Sequence, residues 1–406
     1  MLDLLPESAR IEGGELALGG VRASELADRH GTPLLVYCEQ TIRSQVRAYR
    51  EAAPDASIVY GTKAFANVAL LRLFADLDVG ADVSTLGELA FARAAGIPGE
   101  RIVFHGNNKS EEELRAAAEA DALVVLDAPG ESKAAAGAGV RRVLVRLTPG
   151  VEAETHRSIR TAHEESKFGL APDAATREVE RARELGLAVE GVHVHVGSQL
   201  GRTDESLLAL EHVLALLERL DWTPRVLDVG GGLGVRHNRD ETLPSVAEFV
   251  RPLVERVPEG TQLILEPGRS LVGRAGVTLY RVGRVKESGG VTYAAIDGGM
   301  SDNPRPQLYG ARYEAVLANR AEELPTGVYR IAGKHCESGD VLIDAVELPE
   351  PRPGDVLAVP ATGAYTLALG STYNGVPRPA AVLVRDGEAR LIRRRETVDD
   401  LLRFES

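Results

Sequence analysis

From residue 55 to residue 270 the sequence alternates between short β-branched or apolar runs and longer stretches rich in Ala, Leu, Glu and Arg. The strand-like runs are 57–60, 79–83, 102–105, 123–126, 142–147, 189–196, 226–229 and 263–266. Between most of them lie helix-like stretches such as 68–76, 111–120 and 205–220. Strands that alternate with helices are joined by crossovers, so they run parallel with the helices covering their faces. Eight such units fit a (β/α)8 barrel. A doubly wound open sheet shares the same alternation, and periodicity does not separate the two.

Beyond about residue 276 the texture changes. Runs at 277–284, 291–297, 328–331, 341–348, 355–359 and 381–385 are strand-like, punctuated by turns such as Ser288-Gly289-Gly290 and Pro353-Gly354, with no long helix before 397–403. Residues 10–21 read as a hairpin. The expected organisation is a barrel over 34–275 and an all-β domain, barrel or sandwich, formed by 276–406 together with 1–33.

At 406 residues the chain has room for both. Its 60 acidic residues outnumber 47 basic ones, for a net charge of −13, so no basic stripe is available for nucleic acid. No apolar run approaches the roughly 18 residues of a membrane span, and the start MLDLLPESAR lacks the features of a signal peptide. Two cysteines, Cys38 and Cys336, make no disulfide framework, and a reducing cytoplasm is the expected compartment. Only Lys63, Lys109, Lys133, Lys167, Lys286 and Lys334 are lysines among the 47 basic residues. In so arginine-rich a chain, a lysine is a candidate for chemistry that arginine cannot do, such as forming an imine.

Chemistry in such a barrel sits at the C-terminal ends of its strands. Lys63 follows the first strand among small, mostly apolar neighbours, which would lower an amine pKa and favour an imine; a surface lysine beside a turn has the same local sequence. His193 and His195 end the sixth strand two residues apart, on one sheet face. That spacing suits a metal, yet HEXXH, cysteine pairs and a matching third ligand are absent, so none is expected. A ring stacked on a flat cofactor and an ordinary strand histidine are the other readings. Gly230-Gly231-Gly232-Leu233-Gly234 follows the seventh strand without the Lys-Ser/Thr of a Walker loop or the GxGxxG frame, which fits a single phosphate better than a nucleotide. Glu266 and Arg269 follow the eighth strand and offer a carboxylate and a carboxylate clamp, or else an ordinary polar turn. Cys336, set among Glu, Ser, Gly and Asp, is a candidate acid or nucleophile.

A lysine, a strand-end glutamate, a glycine cradle and a histidine together spell a pyridoxal phosphate site. Nine motifs occur in order: YGTKAF, HGNNKS, SKFG, HVHVGSQ, DVGGGLG, EPGRS, DGGMSDNPRPQLYGA, CESGD and GAYT. In these the sequence resembles, over nearly its whole length, the diaminopimelate decarboxylases of the alanine-racemase-like class of pyridoxal phosphate enzymes. Two details depart from the usual pattern: Ala64-Phe65 stands where many relatives have a small residue and then Asn, and Pro304 bears on the placement of Arg305.

The resemblance implies decarboxylation of meso-2,6-diaminopimelate to L-lysine, the last step of lysine biosynthesis. It implies that Lys63 carries the cofactor, that Glu266 pairs with its ring nitrogen and that His195 stacks on the ring. Ser198, the amides of Gly231, Gly232 and Gly234, Gly268, Arg269 and Tyr365 would surround the phosphate and cofactor. Arg269, Arg305 and Tyr309 would take the distal carboxylate of the substrate, Glu337 its distal ammonium, and Tyr365 would also face it. Cys336 would protonate Cα from the second subunit of a homodimer with shared sites. Sister enzymes acting on ornithine, arginine, a carboxylated polyamine or a carrier-tethered amino acid share the lysine, but the ornithine type carries Cys-Asp-Gly where Cys336 is followed by Glu-Ser-Gly. A racemase would leave CESGD unexplained, and non-catalytic pyridoxal phosphate carriers lack the β-module.

Overall fold

The computed structural model describes residues 2–148 and 166–406. They form two compact units, one of residues 45–234 and 243–269, the other of residues 1–44, 235–242 and 270–406.

The first unit is a closed barrel of eight parallel strands. In chain order these are Ser57–Gly61, Gly80–Val83, Ile102–Phe104, Leu123–Leu126, Arg142–Leu147, Ala188–Val194, Val226–Asp228 and Gln262–Leu265. The last closes on the first with Ile264 opposite Ser57, so the doubly wound alternative falls. Several helices between the strands begin where a short polar side chain takes up their free N–H groups. Asn67 accepts from Ala69 and Leu70, and Ser110 and Ser245 form reciprocal capping boxes with Glu113 and Glu248. Val59, Val103, Leu123, Val125, Leu144, Val226 and Ile264 pack together as an apolar cluster of the barrel strands.

In the second unit, Arg10–Glu12, Glu15–Leu18 and Val21–Arg22 make a small antiparallel sheet, one strand more than the expected hairpin. Its first turn places Gly13 and Gly14 at φ 62° and 83° between paired Glu12 and Glu15, the two-residue geometry that matches strand twist and that glycine adopts without strain. The larger sheet has nine strands, with Leu34–Cys38 lying between Gly276–Ser288, antiparallel, and Ala380–Arg385, parallel. All five residues of Leu34–Cys38 are buried, and Leu34, Val36 and Cys38 pack with Leu16, Leu26, Val277 and Val382. This central strand belongs to the β-unit, so the units change over at 44/45 and 269/270 rather than at the expected 33/34 and 275/276. Among the described residues, no helix is long and apolar enough to cross a membrane.

Candidate active site

Side chains along a strand alternate between faces, so the residue two beyond a core position points to the same side. In the barrel that residue is repeatedly polar. Val103 is followed by His105, Val125 by Asp127, Leu144 by Arg146, Val226 by Asp228 and Ile264 by Glu266. Gly80 and Gly191 are likewise followed by Asp82 and His193. All but Asp82, which is half-buried, are buried. Several expected strands ran through His105, Val196 or Glu266, whereas the observed ones stop at Phe104, Val194 and Leu265. His105, His195 and Glu266 therefore stand on backbone that is already turning at the C-terminal end.

His105 Nε2 lies 2.6 Å from Glu266 Oε1 and 3.7 Å from Asp82 Oδ1, while His193 Nε2 is 3.4 Å from Glu266 Oε2. One polar atom from each of His105, His193, Asp228 and Glu266 falls within 4.8 Å of the others. Other strands thus supply three partners to His193, namely His105, Asp228 and Glu266, and His195 is not among them. Burial alone would raise the Glu266 pKa, but the His105 charge and the histidine hydrogen bonds overcome it and hold the carboxylate well below its usual range. Burial and the Glu266 charge instead push Asp228 well up, and Asp82 rises to about 6. For His193 burial dominates and takes its pKa down to about 3.

His195 is half-buried, and burial followed by the nearby Lys63 and Arg146 charges keep its imidazole neutral. The Gly231 N–H donates to its Nδ1 at 3.3 Å, which leaves the ring proton on Nε2. Gly230, at φ 67°, wraps the same ring, where a Cβ would come within 2.5 Å of Nδ1. Gly234 N–H donates to the Leu200 carbonyl at 3.1 Å. Two of the three glycine amides expected for phosphate, those of Gly231 and Gly234, are therefore already engaged within the chain, because the turn closes on His195 and Leu200. Arg269, also buried, donates to Ser198 Oγ at 3.1 Å, and Gly268 is buried beside Gly61. Lys63 follows the first strand in the turn Thr62–Ala64, as expected, but it is exposed, and its charge acts on Asp82 and His195 rather than on apolar neighbours.

The remaining candidates lie in the β-unit. Cys336 and Glu337 are exposed. Asp340, the last residue of CESGD, is the anchor of that loop: it accepts the N–H groups of Met300 at 2.7 Å and His335 at 2.9 Å, and His335 Nδ1 at 2.7 Å. Asn374 accepts the Cys336 N–H at 3.0 Å. Pro304 precedes the short helix Arg305–Tyr309, in which Arg305 is buried and Tyr309 half-buried. Tyr365 sits at φ 57°, a strained backbone for a residue with a Cβ.

Sequence reasoning passed over Asp82, His105, Asp127, Arg146 and Asp228. The apolar-x-polar ending shared by the strands was the signal that could have found them. Two motifs without an assigned role belong here as well. In HGNNKS, Lys109 is buried and bonds Glu131 at 2.6 Å, and in SKFG the Phe168 ring lies under the Arg146 guanidinium at 4.6 Å.

An eight-stranded barrel with an amine after its first strand and a buried anionic carboxylate after its last defines a class, and residues 39–273 match the family model "Pyridoxal-dependent decarboxylase, pyridoxal binding domain". The residues suit that cofactor: an ionised Glu266 for a protonated ring nitrogen, a glycine turn with no room for side chains, and the Ser198–Arg269 pair for an anion. The chain is 45% identical to diaminopimelate decarboxylase of Actinosynnema pretiosum subsp. auranticum, covering 99% of this chain and 95% of that one. It is 43% identical to that of Bacillus subtilis (strain 168), covering 98% and 97%. A crystal structure of diaminopimelate decarboxylase from M. jannaschii in co-complex with L-lysine superposes with a TM-score of 0.92 at 33% identity, covering 98% of each chain. The chain belongs to the diaminopimelate decarboxylase family.

Proposed function

We propose how the residues of this chain share the work of its family's reaction, which it catalyses: loss of CO2 from meso-2,6-diaminopimelate to leave L-lysine. Lys63 Nζ would hold pyridoxal phosphate covalently at the end of the first strand. Glu266 meets the ring nitrogen as an anion, and His195, its tautomer set by Gly231, lies against the ring face. Ser198, Arg269, Gly268, Tyr365 and the Gly232 N–H hold the phosphate side, while Gly231 and Gly234 shape the turn. When bound, the cofactor supplies an electron sink for the charge left at Cα as CO2 departs.

Cys336 Sγ delivers the proton to Cα. Its exposure on the β-unit supports a role for it in the partner copy, within a homodimer whose sites are shared. Arg305 and Tyr309, with Arg269, bind the distal carboxylate, and Glu337 binds the distal ammonium. A second amino-acid head group is thereby read, which ornithine lacks. The working compartment is the cytoplasm.

The observation that carries this reading is the buried, ionised Glu266 at the end of the strand that pairs with the one before Lys63. The test is a substrate panel with the purified protein. Release of CO2 and lysine from meso-diaminopimelate is expected, with little turnover of ornithine or arginine. Preferred turnover of ornithine would overturn the specificity assignment.

A further inference from the structure

His105 opens the HGNNKS motif, and nothing in the reaction above gives it a task. Its side chain is buried, its Nε2 approaches Glu266 Oε1 at 2.6 Å, and its ring meets that of His193 edge-on at 4.8 Å. A carboxylate as deeply buried as Glu266 takes up a proton unless a countercharge or hydrogen-bond donors stabilise the anion. His105 is the imidazole of the cluster that lies nearest to the carboxylate. His193 is neutral through burial and sits farther from the carboxylate, at 3.4 Å. Opposing its own burial, the Glu266 and Asp82 carboxylates raise the His105 pKa, which favours the protonated ring.

We propose that His105 is a positioning residue that acts through Glu266: its Nε2 anchors Oε1, so the carboxylate meets the cofactor's ring nitrogen as an anion of fixed orientation. This rests on the assignment of Glu266 to that nitrogen. Among the described residues, the other groups facing Glu266 are Asp82 from the second strand, Arg146 from the fifth, His193 and His195 from the sixth and Asp228 from the seventh, with Lys63 acting on Asp82. Burial and the Glu266 charge push the Asp228 pKa well up, and Arg146 faces Asp127 at 3.4 Å, whereas His105 contacts the carboxylate itself at 2.6 Å.

The experiment compares two ligands for the apoprotein, pyridoxal phosphate and its 1-deaza analogue, in which C–H replaces the ring nitrogen. Dissociation constants are read by fluorescence from pH 5.5 to 8.5, without reference to activity. The wild type should prefer pyridoxal phosphate across this range. His105→Phe keeps the ring volume but neither charge nor donor, and it should shrink the preference at least tenfold. His105→Gln keeps a donor without charge. It should retain much of the preference at pH 8.5 and lose it as the pH falls, because Glu266 without the cation takes up its proton at a higher pH. Should the Phe variant fail to fold, the Gln variant carries the test through this pH dependence. A general structural defect would weaken both ligands equally and leave the ratio unchanged, which overturns the proposal. Glu266→Gln separates the two levels. If it leaves the ratio intact, the Glu266 assignment itself fails. If it abolishes the ratio while both His105 variants keep it within twofold of wild type at every pH, only the role of His105 fails.

Discussion

The backbone N–H of Gly231 donates to Nδ1 of His195 at 3.3 Å, so the glycine turn after the seventh strand sets the tautomer of a histidine from the end of the sixth. The sequence reads that turn as a phosphate cradle, whereas the geometry makes it first a holder for an imidazole. Glycine is required for space as well as for conformation, since Gly230 is at φ 67° and a Cβ there would sit 2.5 Å from Nδ1.

Gly230→Ala should therefore displace His195. A non-glycine residue at such a φ carries about 1–2 kcal/mol of strain, and the collision adds to it. The cofactor dissociation constant is expected to rise by about tenfold or more, equivalent to about 1.4 kcal/mol. Gly290→Ala is the control, because Gly290 has φ 79° with nothing within 4 Å of the added methyl. It should lower the melting temperature without touching cofactor affinity. Equal affinity in the Gly230 variant would detach the turn from the site.

Arg305 Nη1 donates to His237 Nε2 at 2.7 Å and to Tyr313 Oη at 2.8 Å, which holds the guanidinium in place inside the β-unit. His237 then carries its proton on Nδ1, 3.6 Å from Glu241 Oε2. On the proposal that the distal carboxylate of the substrate is its further partner, Arg305→Ala should lose about 2–5 kcal/mol, roughly 30-fold to several thousand-fold, chiefly in KM for meso-diaminopimelate. Arg305→Lys keeps the charge but not the planar fork and should recover only part of this. Steady-state kinetics on both variants decides, and an unchanged KM would move the clamp elsewhere.

The barrel was legible because strand and helix periods alternate plainly, and the positions of Lys63, Glu266 and the glycine turn followed from its strand ends. The environment of each was not. Lys63 has small neighbours in sequence, but Asp82 and His195 reach it from other strands. Asp82, Arg146 and Asp228 look like isolated charges in apolar runs until closure of the barrel brings them to one ring. Strand Leu34–Cys38 sits next to the barrel in sequence, yet it pairs with Gly276–Ser288, more than two hundred residues away. Local pattern carries no information on such pairing.

Asp302 makes a pH-dependent contribution with a definite sign. It is buried, accepts from Tyr280 Oη at 2.5 Å and from the Gly299 N–H at 2.8 Å, and burial pushes its pKa up to about 7. The unfolded chain releases this proton near 3.8, the ordinary value. Between these values the folded state binds more protons than the unfolded one. The contribution is therefore full below the lower value and is lost as the pH rises through the upper one. Asp302→Asn cannot titrate. Relative to wild type it should gain about 2–3 kcal/mol between pH 5 and pH 7, at about 1.4 kcal/mol per pH unit. Urea unfolding at the two pH values measures this, and a difference that does not change with pH would refute the assignment.

The shared-site reading makes a quantitative demand on mixed dimers. Lys63→Ala and Cys336→Ala are each expected to be inactive alone, since one lacks the cofactor amine and the other the proton donor. If Cys336 serves the partner's barrel, a heterodimer of the two has one site with both groups intact and one with neither. Random reassortment makes about half the dimers mixed, each with one working site of two, so recovery approaches about a quarter of wild-type activity. If Cys336 instead serves its own barrel, every site in the mixture lacks one group and no activity returns. Subunit exchange, followed independently by mass-tagged chains, makes the negative result meaningful. Absence of recovery under full exchange would leave Cys336 acting within its own chain, and would remove the reason for placing its exposed thiol across a dimer interface.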